Sequence, residues 1–173
     1  MFNLREATEE DLPAILTIYN EAIETTTAVF DYRPHTLHMR REWFQAKRSA
    51  NLPVVVAAVN GAGVIGFATY GPFRAWPAYK YTIEHSVYVA AQARRLGVGR
   101  ELVKEIVSIA RKNQMHSVIA GIVSDNLPSL KLHRSLGFVD AGCVHQVGYK
   151  FGRWLDLMFL ELLLETPQAP VEP

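Results

Sequence analysis

The sequence predicts an α/β (α+β) domain with one mixed central β-sheet of about seven strands and about four flanking helices. Apolar residues recur at helical spacing in several segments, and short apolar runs bounded by turn residues mark the strands. The run from Tyr81 to Val123 predicts strand, helix and strand, and such a crossover requires at least one parallel strand pair. The expected order is β-α-α-β-β-β-α-β-α-β-β.

The N-terminal third of the chain predicts one strand, two helices and a hairpin. Phe2 and Leu4 alternate with polar residues, which favours a short strand, and Thr8 to Asp11 signals a helix that continues to Ile23. The segment TTTAVFDYRP then predicts a loop, and HTLHMRREWFQAKRSA predicts a second helix. The inward face of that helix is expected to carry Met39, Trp43 and Ala46. The apolar runs PVVVAAV and VIGFATY flank a turn at residues 60–63, so they predict a hairpin.

The rest of the chain alternates strands and helices. After the loop GPFRAWPAY, the run YTIEHSVYV predicts a strand, and apolar residues at helical spacing predict a helix from Val98 to Lys112. HSVIAGIV predicts a buried strand, and a short helix is expected from Asn126 to Leu136, with Gly137 ending it. Strands at about Ala141–Lys150 and Trp154–Leu163 predict the last hairpin.

The composition favours a single cytoplasmic domain without a nucleic-acid or membrane partner. The formal net charge of +1 gives no electrostatic reason to expect either partner. Cys143 is the only cysteine, which excludes an internal disulfide and suits a reducing cytosol. The most apolar run, Trp154–Leu164, is too short and too charged for a membrane span, and the first residues lack a signal-peptide core. We expect one domain at residues 1–165 and a flexible tail at residues 166–173.

The segment VYVAAQARRLGVGRELV places glycines and arginines between a predicted strand and a predicted helix. Gly97 and Gly99 match two glycines of the pattern G-x-G-x-x-G, but Leu102 stands at the third, and no Gly-Lys-Ser/Thr follows as in a P-loop. The pattern R-x-x-G-x-G does fit, and amides at a helix N-terminus favour a pyrophosphate. A tight turn with solvated arginines would have the same sequence, so the loop alone leaves both interpretations open.

Further motifs carry a resemblance to a known family. A strand ending in VYV, the R-x-x-G-x-G loop, a long helix, a strand and the segment NLPSLKLHRSLGF form the pattern of the GNAT superfamily of N-acetyltransferases, which the chain resembles over residues 1 to about 164. The stretches IYNEAIETTTAVFD, YTIEHSVYV, LHRSLGF and GYKFGRWLDLMFLEL are similar to the phosphinothricin and methionine sulfone/sulfoximine N-acetyltransferases. The resemblance implies a GNAT fold, acetyl-CoA as cosubstrate and a homodimer.

The resemblance also implies how acetyl-CoA is held. In this superfamily the strand before the glycine loop parts from its parallel neighbour, pantetheine pairs with it like an added strand, and the loop amides bind the pyrophosphate. The implied cofactor-binding residues are Val87, Tyr88, Val89, Arg94, Arg95, Leu96, Gly97, Val98, Gly99, Arg100, Asn126, Ser129 and Ser135. Val87 and Val89 can also be core residues, because their cofactor contacts would involve only the main chain.

Acetyl transfer needs a base, because an α-amino group is mostly protonated at neutral pH. Glu84 stands where the phosphinothricin branch has a glutamate and is the candidate base; the alternative is an exposed glutamate on a strand. Alternation sets Glu84 and Val87 on opposite faces, so a bulge or a bridging water is expected. His133, implied as the second catalytic residue, could donate to the leaving thiolate or an oxyanion, act as a second base, position the substrate, or be a satisfied core histidine. It shares one helix face with Asn126 and Ser129.

An amino-acid substrate brings a carboxylate, and a planar guanidinium such as that of Arg74 suits such oxygens. The residues expected to line the substrate pocket are Phe30, Arg74, Ala75, Trp76, Tyr79, Glu84, His85, Ser86 and Tyr149. The alternative is that the aromatic residues pack a loop and Arg74 is solvated. No metal site is expected, because His35 and His38 have no cysteine nearby and are typical of a solvated helix start. Cys143 lacks the motif of a nucleophile and is predicted to be buried.

Together these residues predict an enzyme that acetylates a small L-amino acid or an analogue such as methionine sulfone, methionine sulfoximine or phosphinothricin. Two alternatives stay open. The acceptor could be another amine, such as a protein N-terminus, a polyamine or an antibiotic. A coenzyme A-binding module without turnover would be favoured by a missing base or a broken glycine loop, and the sequence has neither.

Overall fold

The structure is a computed structural model that describes residues 1–61 and 63–172. The strands are β1 (Asn3–Glu6), β2 (Val54–Val59), β3 (Gly63–Pro72), β4 (Thr82–Val89), β5 (Ser117–Val123), β6 (Val139–Lys150) and β7 (Arg153–Leu163). The α-helices are α1 (Leu12–Thr25), α2 (Leu37–Ser49), α3 (Val98–Lys112) and α4 (Leu127–Arg134). The sheet has the strand order β1-β2-β3-β4-β5-β7-β6, and β4 and β5 are parallel. The predicted mixed sheet and element order are confirmed. Within the described residues, no helix is long and apolar enough to cross a membrane.

The chain divides into two compact units whose boundaries fall within β3, β4 and α3. The first unit comprises residues 1–70 and 86–106. In it, β2 pairs antiparallel with both β1 and β3. Its core is apolar and comes mainly from α1, α2 and these strands. The buried members of this core are Ala7, Leu12, Ile15, Ile18, Phe44, Val54, Val56, Phe67 and Ala90.

The buried face of α2 differs from the predicted one. Met39 is 43% exposed and Ala46 is also exposed, so two of the three residues predicted to point inward do not. Phe44 is buried instead, and Arg40 is only 2% exposed. The Arg40 guanidinium lies over the Tyr19 ring, 4.0 Å from its centroid, so cation–π stacking replaces an apolar contact. A hydrophobicity pattern could not place an arginine on the inner face.

The second unit comprises residues 71–85 and 107–173. Here β7 is the central strand of an antiparallel arrangement with β5 and β6, and the last hairpin turns at Phe151 and Gly152, both with positive φ. The parallel pairing of β4 with β5 is short: it runs from the pair Thr82–Ser117 to the pair Glu84–Ile119. This register sets Glu84 at the last paired position of the two strands.

Two further predictions concern the C-terminal tail and the β2–β3 turn. Thr166, in the segment expected to be flexible, donates a side-chain hydrogen bond to the Met115 carbonyl, and the Val171 amide donates to the Tyr81 hydroxyl. The tail is therefore tied to the second unit at two points. The turn predicted at residues 60–63 includes Ala62, which lies outside the described residues; the strands on either side are as predicted.

Candidate active site

The glycine loop of the first unit joins β4 to α3. Gly97 has a φ of +84°, and a Cβ built on it would meet no atom within 4 Å, so the loop is open above this residue. The first α3 hydrogen bond runs from the Glu101 amide to the Gly97 carbonyl. The amides of Val98 and Gly99 therefore have no intrahelical acceptor, and the helix dipole adds partial positive charge there. A glycine turn followed by amides without intrahelical acceptors fits a pyrophosphate.

The arginines of the loop differ in what they can offer an anion. Arg94 pairs with Glu21, with 2.9 Å between Nη2 and Oε1, and its Nε donates to the Val89 carbonyl. Its charge is therefore already partly neutralised within the protein. Arg95 is exposed and adopts a φ of +65°, and Leu96 is 68% exposed. Of these two arginines, Arg95 is the better candidate for a phosphate contact.

The strand before this loop contributes packing as well as backbone groups. Val87, Tyr88 and Val89 are each partly buried on β4. The Tyr88 ring lies 5.1 Å from the ring of Phe67 and 5.3 Å from that of Tyr19. The side chain of Tyr88 thus belongs to the core of the first unit, which leaves main-chain contacts as its means of holding a cofactor.

Glu84 lies in the second unit, above a glycine of the neighbouring strand. A Cβ added to Gly121 would come 2.9 Å from Oε1 of Glu84, so the absence of a side chain at Gly121 makes room for the carboxylate. Glu84 is half-buried. Burial raises the pKa of Glu84 above its ordinary value, and the positive charge of Arg74 partly offsets this. A carboxylate with a raised pKa, close to a guanidinium, is suited to accept a proton from a bound ammonium group.

Aromatic residues pack beside Gly121 and in the loop between β3 and β4. The Phe159 ring lies within 3.7 Å of the added Cβ position on Gly121, and Phe73 meets both Phe159 and Tyr79 edge-on, at 6.2 and 5.7 Å between centroids. The Arg74 guanidinium lies over the Phe73 ring, 4.1 Å from its centroid. Sequence reasoning missed Gly121, Phe73 and Phe159. An isolated glycine inside a buried strand is a signal of close approach, and it could have identified Gly121.

Several predicted pocket residues are solvent-exposed in the loop between β3 and β4. Arg74 and Ala75 are exposed, as are Trp76 (75%) and Tyr79 (40%). Exposed aromatic side chains in this loop are available for contact with a small molecule. Ser86, the next β4 residue beyond His85, is partly buried in the first unit.

His133 is the centre of a buried hydrogen-bonded chain in the second unit. Its Nδ1 lies 2.8 Å from the Ser129 carbonyl, and its Nε2 lies 3.2 Å from Nε2 of His85. Both rings also contact Phe138. Burial lowers the pKa of His133, and burial together with the His133 ring lowers the pKa of His85 to about 3. Both rings are therefore neutral at physiological pH.

The start of α4 joins the three residues predicted to share one face. Asn126 is the N-cap, and its Oδ1 accepts a hydrogen bond from the Ser129 amide at 3.3 Å. Ser129 in turn accepts from His133 through its carbonyl. Ser135 lies at the other end of α4, where its hydroxyl donates to the Leu132 carbonyl. Hydrogen bonds within α4 thus link Asn126, Ser129 and His133.

The predicted site residues lie on both faces of β4 and in both units. Glu84 and His85 are adjacent on β4 and point to opposite faces of the strand, so the face that carries Glu84 is not the face that contacts His133. Tyr149 packs on Trp154 in the β6–β7 hairpin. Phe30 belongs to the first unit, where it is 42% exposed in the loop after α1.

Cys143 was expected to be buried, and the structure corrects this: it is only partly buried. Its Sγ lies 3.8 Å from Nδ1 of His145, and that nitrogen lies 3.0 Å from Oδ2 of Asp156. The other Asp156 oxygen accepts from the Gln146 amide. His145 and Gln146 lie in a register irregularity of β6, between Val144 and Gly148. The hydrogen bonds of Asp156 to His145 and Gln146 stabilise this irregular segment of β6.

Comparisons with known proteins identify relatives over nearly the whole chain. The acetyltransferase (GNAT) domain family matches residues 4–159. The L-methionine sulfoximine/L-methionine sulfone acetyltransferase of Pseudomonas paraeruginosa is 43% identical, over 97% of this chain and 98% of that protein. A solved structure of a ribosomal-protein-alanine N-acetyltransferase from Brucella melitensis is 45% identical with a TM-score of 0.91, over 94% and 99% of the two chains. A phosphinothricin acetyltransferase from Sinorhizobium meliloti, solved in complex with acetyl-CoA, is 32% identical with a TM-score of 0.93, over 98% and 92%.

Proposed function

The chain belongs to the GNAT acetyltransferase family, and on that premise we propose that it acetylates the α-amino group of a small L-amino acid with acetyl-CoA as the donor. The observation that carries this proposal is the half-buried Glu84 carboxylate beside Gly121, with aromatic residues and the Arg74 charge around it. The relatives named as methionine sulfoximine/sulfone and phosphinothricin acetyltransferases support a glutamate-like substrate with added polar oxygens.

Glu84 is the proposed general base. A protonated amine cannot attack a thioester, so the substrate must lose a proton to a group whose pKa lies closer to neutrality than that of an ordinary carboxylate. Burial raises the pKa of Glu84 in that direction. Glu84 and Val87 are three residues apart on β4, so a bulge or a bridging water is the proposed link between Glu84 and an amine on the other side of the strand.

The residues of the glycine loop fit the pyrophosphate of coenzyme A. Acetyl-CoA supplies an activated acetyl thioester when bound. The amides of Val98 and Gly99, beside the open space at Gly97, are proposed to hold its pyrophosphate, with Arg95 at the rim. Main-chain groups of Val87 and Val89 are proposed to pair with pantetheine.

The start of α4 is the proposed second contact with the cosubstrate. Because Oδ1 of Asn126 caps α4, the Nδ2 amide of the same side chain is the group proposed to donate to a pantetheine carbonyl. The Ser129 hydroxyl is proposed as a neighbouring contact.

The substrate is proposed to lie against the loop between β3 and β4. The Arg74 guanidinium stacks on Phe73 in this loop, and its contact with a carboxylate or sulfone oxygen would orient the amine toward Glu84. Trp76 and Tyr79 are exposed there and would cover the methylene groups of an amino-acid side chain. Phe30 and Tyr149 stay predicted wall residues.

A second candidate acceptor is a protein N-terminus, because one structural relative is named as a ribosomal-protein-alanine N-acetyltransferase. A peptide extends beyond its first residue, whereas a free amino acid ends in a carboxylate for Arg74. The two acceptors therefore differ in their response to Arg74→Met. Loss of the guanidinium should weaken binding of a free amino acid strongly and binding of an N-terminal alanyl peptide little.

The proposed function is tested by an acetyl-transfer screen. Purified protein and acetyl-CoA are incubated with the common L-amino acids, methionine sulfone, methionine sulfoximine, phosphinothricin, a polyamine and an alanyl peptide. Release of coenzyme A is followed together with the mass of the acetylated product. We expect the sulfone, the sulfoximine or the phosphinate to have the highest kcat/KM. Product from the peptide alone would favour the second candidate, and no amine-dependent release would favour a coenzyme A-binding module. A homodimer and a cytoplasmic location stay predictions.

A further inference from the structure

Hydrogen-bond chemistry fixes where the protons of the His85–His133 pair lie. The Ser129 carbonyl can only accept, so Nδ1 of His133 must carry a proton at the observed 2.8 Å. A neutral His133 ring then has a lone pair on Nε2. That lone pair must accept from His85 across 3.2 Å, which places the proton of His85 on its own Nε2.

The remaining ring nitrogen, Nδ1 of His85, is then an unprotonated acceptor. It is buried and has no hydrogen-bond partner among the described residues. The alternative, an imidazolium at His133, would bury a positive charge beside Phe138 without a carboxylate in contact. In this neutral hydrogen-bonded series, His85 donates to His133 and His133 donates to the Ser129 carbonyl, so both ring N–H groups are bonded.

This arrangement leaves His133 without a free ring nitrogen. Each of the chemical roles that the sequence leaves open for it, donor to a thiolate or second base, needs one. A positioning role and that of a satisfied core histidine remain, and the elements that the hydrogen bonds join distinguish them. The hydrogen bonds connect His85, the residue after Glu84 on β4, with the backbone of the first turn of α4, which Asn126 caps.

We propose that His85 is a positioning residue that locks His133 as the neutral Nδ1–H tautomer and thereby fixes the start of α4 relative to the β4 segment that carries Glu84. His133 acts through this lock and exchanges no proton with the substrate. The effect of the lock on catalysis rests on the proposed function. The tautomers themselves do not, because they are a property of the folded protein without substrate.

The first test is long-range ¹H–¹⁵N NMR of the wild-type protein at pH 7.5, which distinguishes protonated from unprotonated ring nitrogens. His85→Gln and His133→Gln assign the two rings among the six histidines. We expect the Nδ1–H tautomer for His133 and the Nε2–H tautomer for His85. An Nε2–H tautomer or an imidazolium at His133 would overturn the proposal, whatever the enzyme acetylates.

The second test distinguishes the hydrogen-bond donor of His85 from the volume that its side chain fills. The amide nitrogen of Gln stands near the position of Nε2 and can donate, so His85→Gln should keep the KM for acetyl-CoA within about threefold of wild type. His85→Leu fills the site without a donor, and we expect its KM for acetyl-CoA to rise about tenfold while kcat at saturation changes less. His38→Gln, at an exposed α2 position, is the control. Equal KM values for the Gln and Leu variants would overturn the lock. Absence of activity in all proteins, with the expected tautomers present, would count against the proposed function alone.

Discussion

A methyl group added at Gly121 would move the proposed base without touching the cosubstrate loop. In Gly121→Ala the new Cβ would lie 2.9 Å from Oε1 of Glu84, and ordinary contact begins near 3.4 Å, so the carboxylate must retreat by about 0.5 Å. The other neighbours, Leu157 and Phe159, lie at an ordinary 3.7 Å. Since a misplacement of roughly 1 Å can cost about 10² in rate, a shift of half that size predicts roughly a tenfold loss of kcat.

The fold should tolerate this change, because the atom that must move is the end of a flexible side chain. Alanine also restricts the unfolded chain, which stabilises by about 0.4–1 kcal/mol where the backbone is compatible. We therefore expect an unchanged or higher Tm, an unchanged KM for acetyl-CoA and a lower kcat with methionine sulfone, measured by coenzyme A release. The matched control is Gly121→Ala in a Glu84→Gln background, where it should cost nothing further. Full kcat in the single variant, or the same tenfold loss in the double variant, would refute the reasoning.

Three further predictions concern the base, the substrate clamp and the cosubstrate loop. Glu84→Gln should lower kcat by roughly 10²- to 10⁴-fold. Burial raises the pKa of Glu84, so ionisation of this carboxyl destabilises wild type once the pH exceeds the ordinary pKa of a glutamate. Scanning calorimetry should therefore give the variant a higher Tm than wild type at pH 7.5 and the same Tm near pH 3. Arg74→Met should raise the KM for the amino acid about tenfold and move the acidic limb of the kcat–pH profile to higher pH, because the Arg74 charge holds the pKa of Glu84 down; an unmoved limb would remove Arg74 from the site. Gly97→Val should weaken acetyl-CoA binding at least tenfold by calorimetry, through its positive φ and the lost open space, and unchanged affinity would contradict the loop assignment.

The periodicity of apolar residues predicts most of the fold because burial of one face dominates both helices and strands. It predicts α3 at its observed bounds, Val98–Lys112, and both hairpins. It fails at α2, where Arg40 is buried by stacking on aromatic rings rather than by an apolar side chain. The spacing of hydrophobic residues cannot predict the stacking of an arginine on aromatic rings.

The candidate site is predictable only in part. The sequence predicts roles for Glu84 and the glycine loop, because a family pattern and local chemistry point to them. The opposite orientation of Glu84 and His85 follows from strand alternation, but the contact of His85 with His133 depends on packing between residues 48 positions apart. The room for Glu84 depends on Gly121, on the paired strand β5. Contacts between residues on different elements can be predicted only once the strand register and the packing are known.

The most direct test of the central claim is one comparison of product formation. Wild type and Glu84→Gln are incubated with acetyl-CoA and L-methionine sulfone at saturation, and N-acetylmethionine sulfone is quantified by mass spectrometry over time. Glu84 as the general base of an amino-acid N-acetyltransferase predicts steady product from wild type and a rate at least 10²-fold lower from the variant, with acetyl-CoA affinity unchanged. Equal rates from the two proteins would contradict the role of Glu84, and no product from wild type would contradict this substrate.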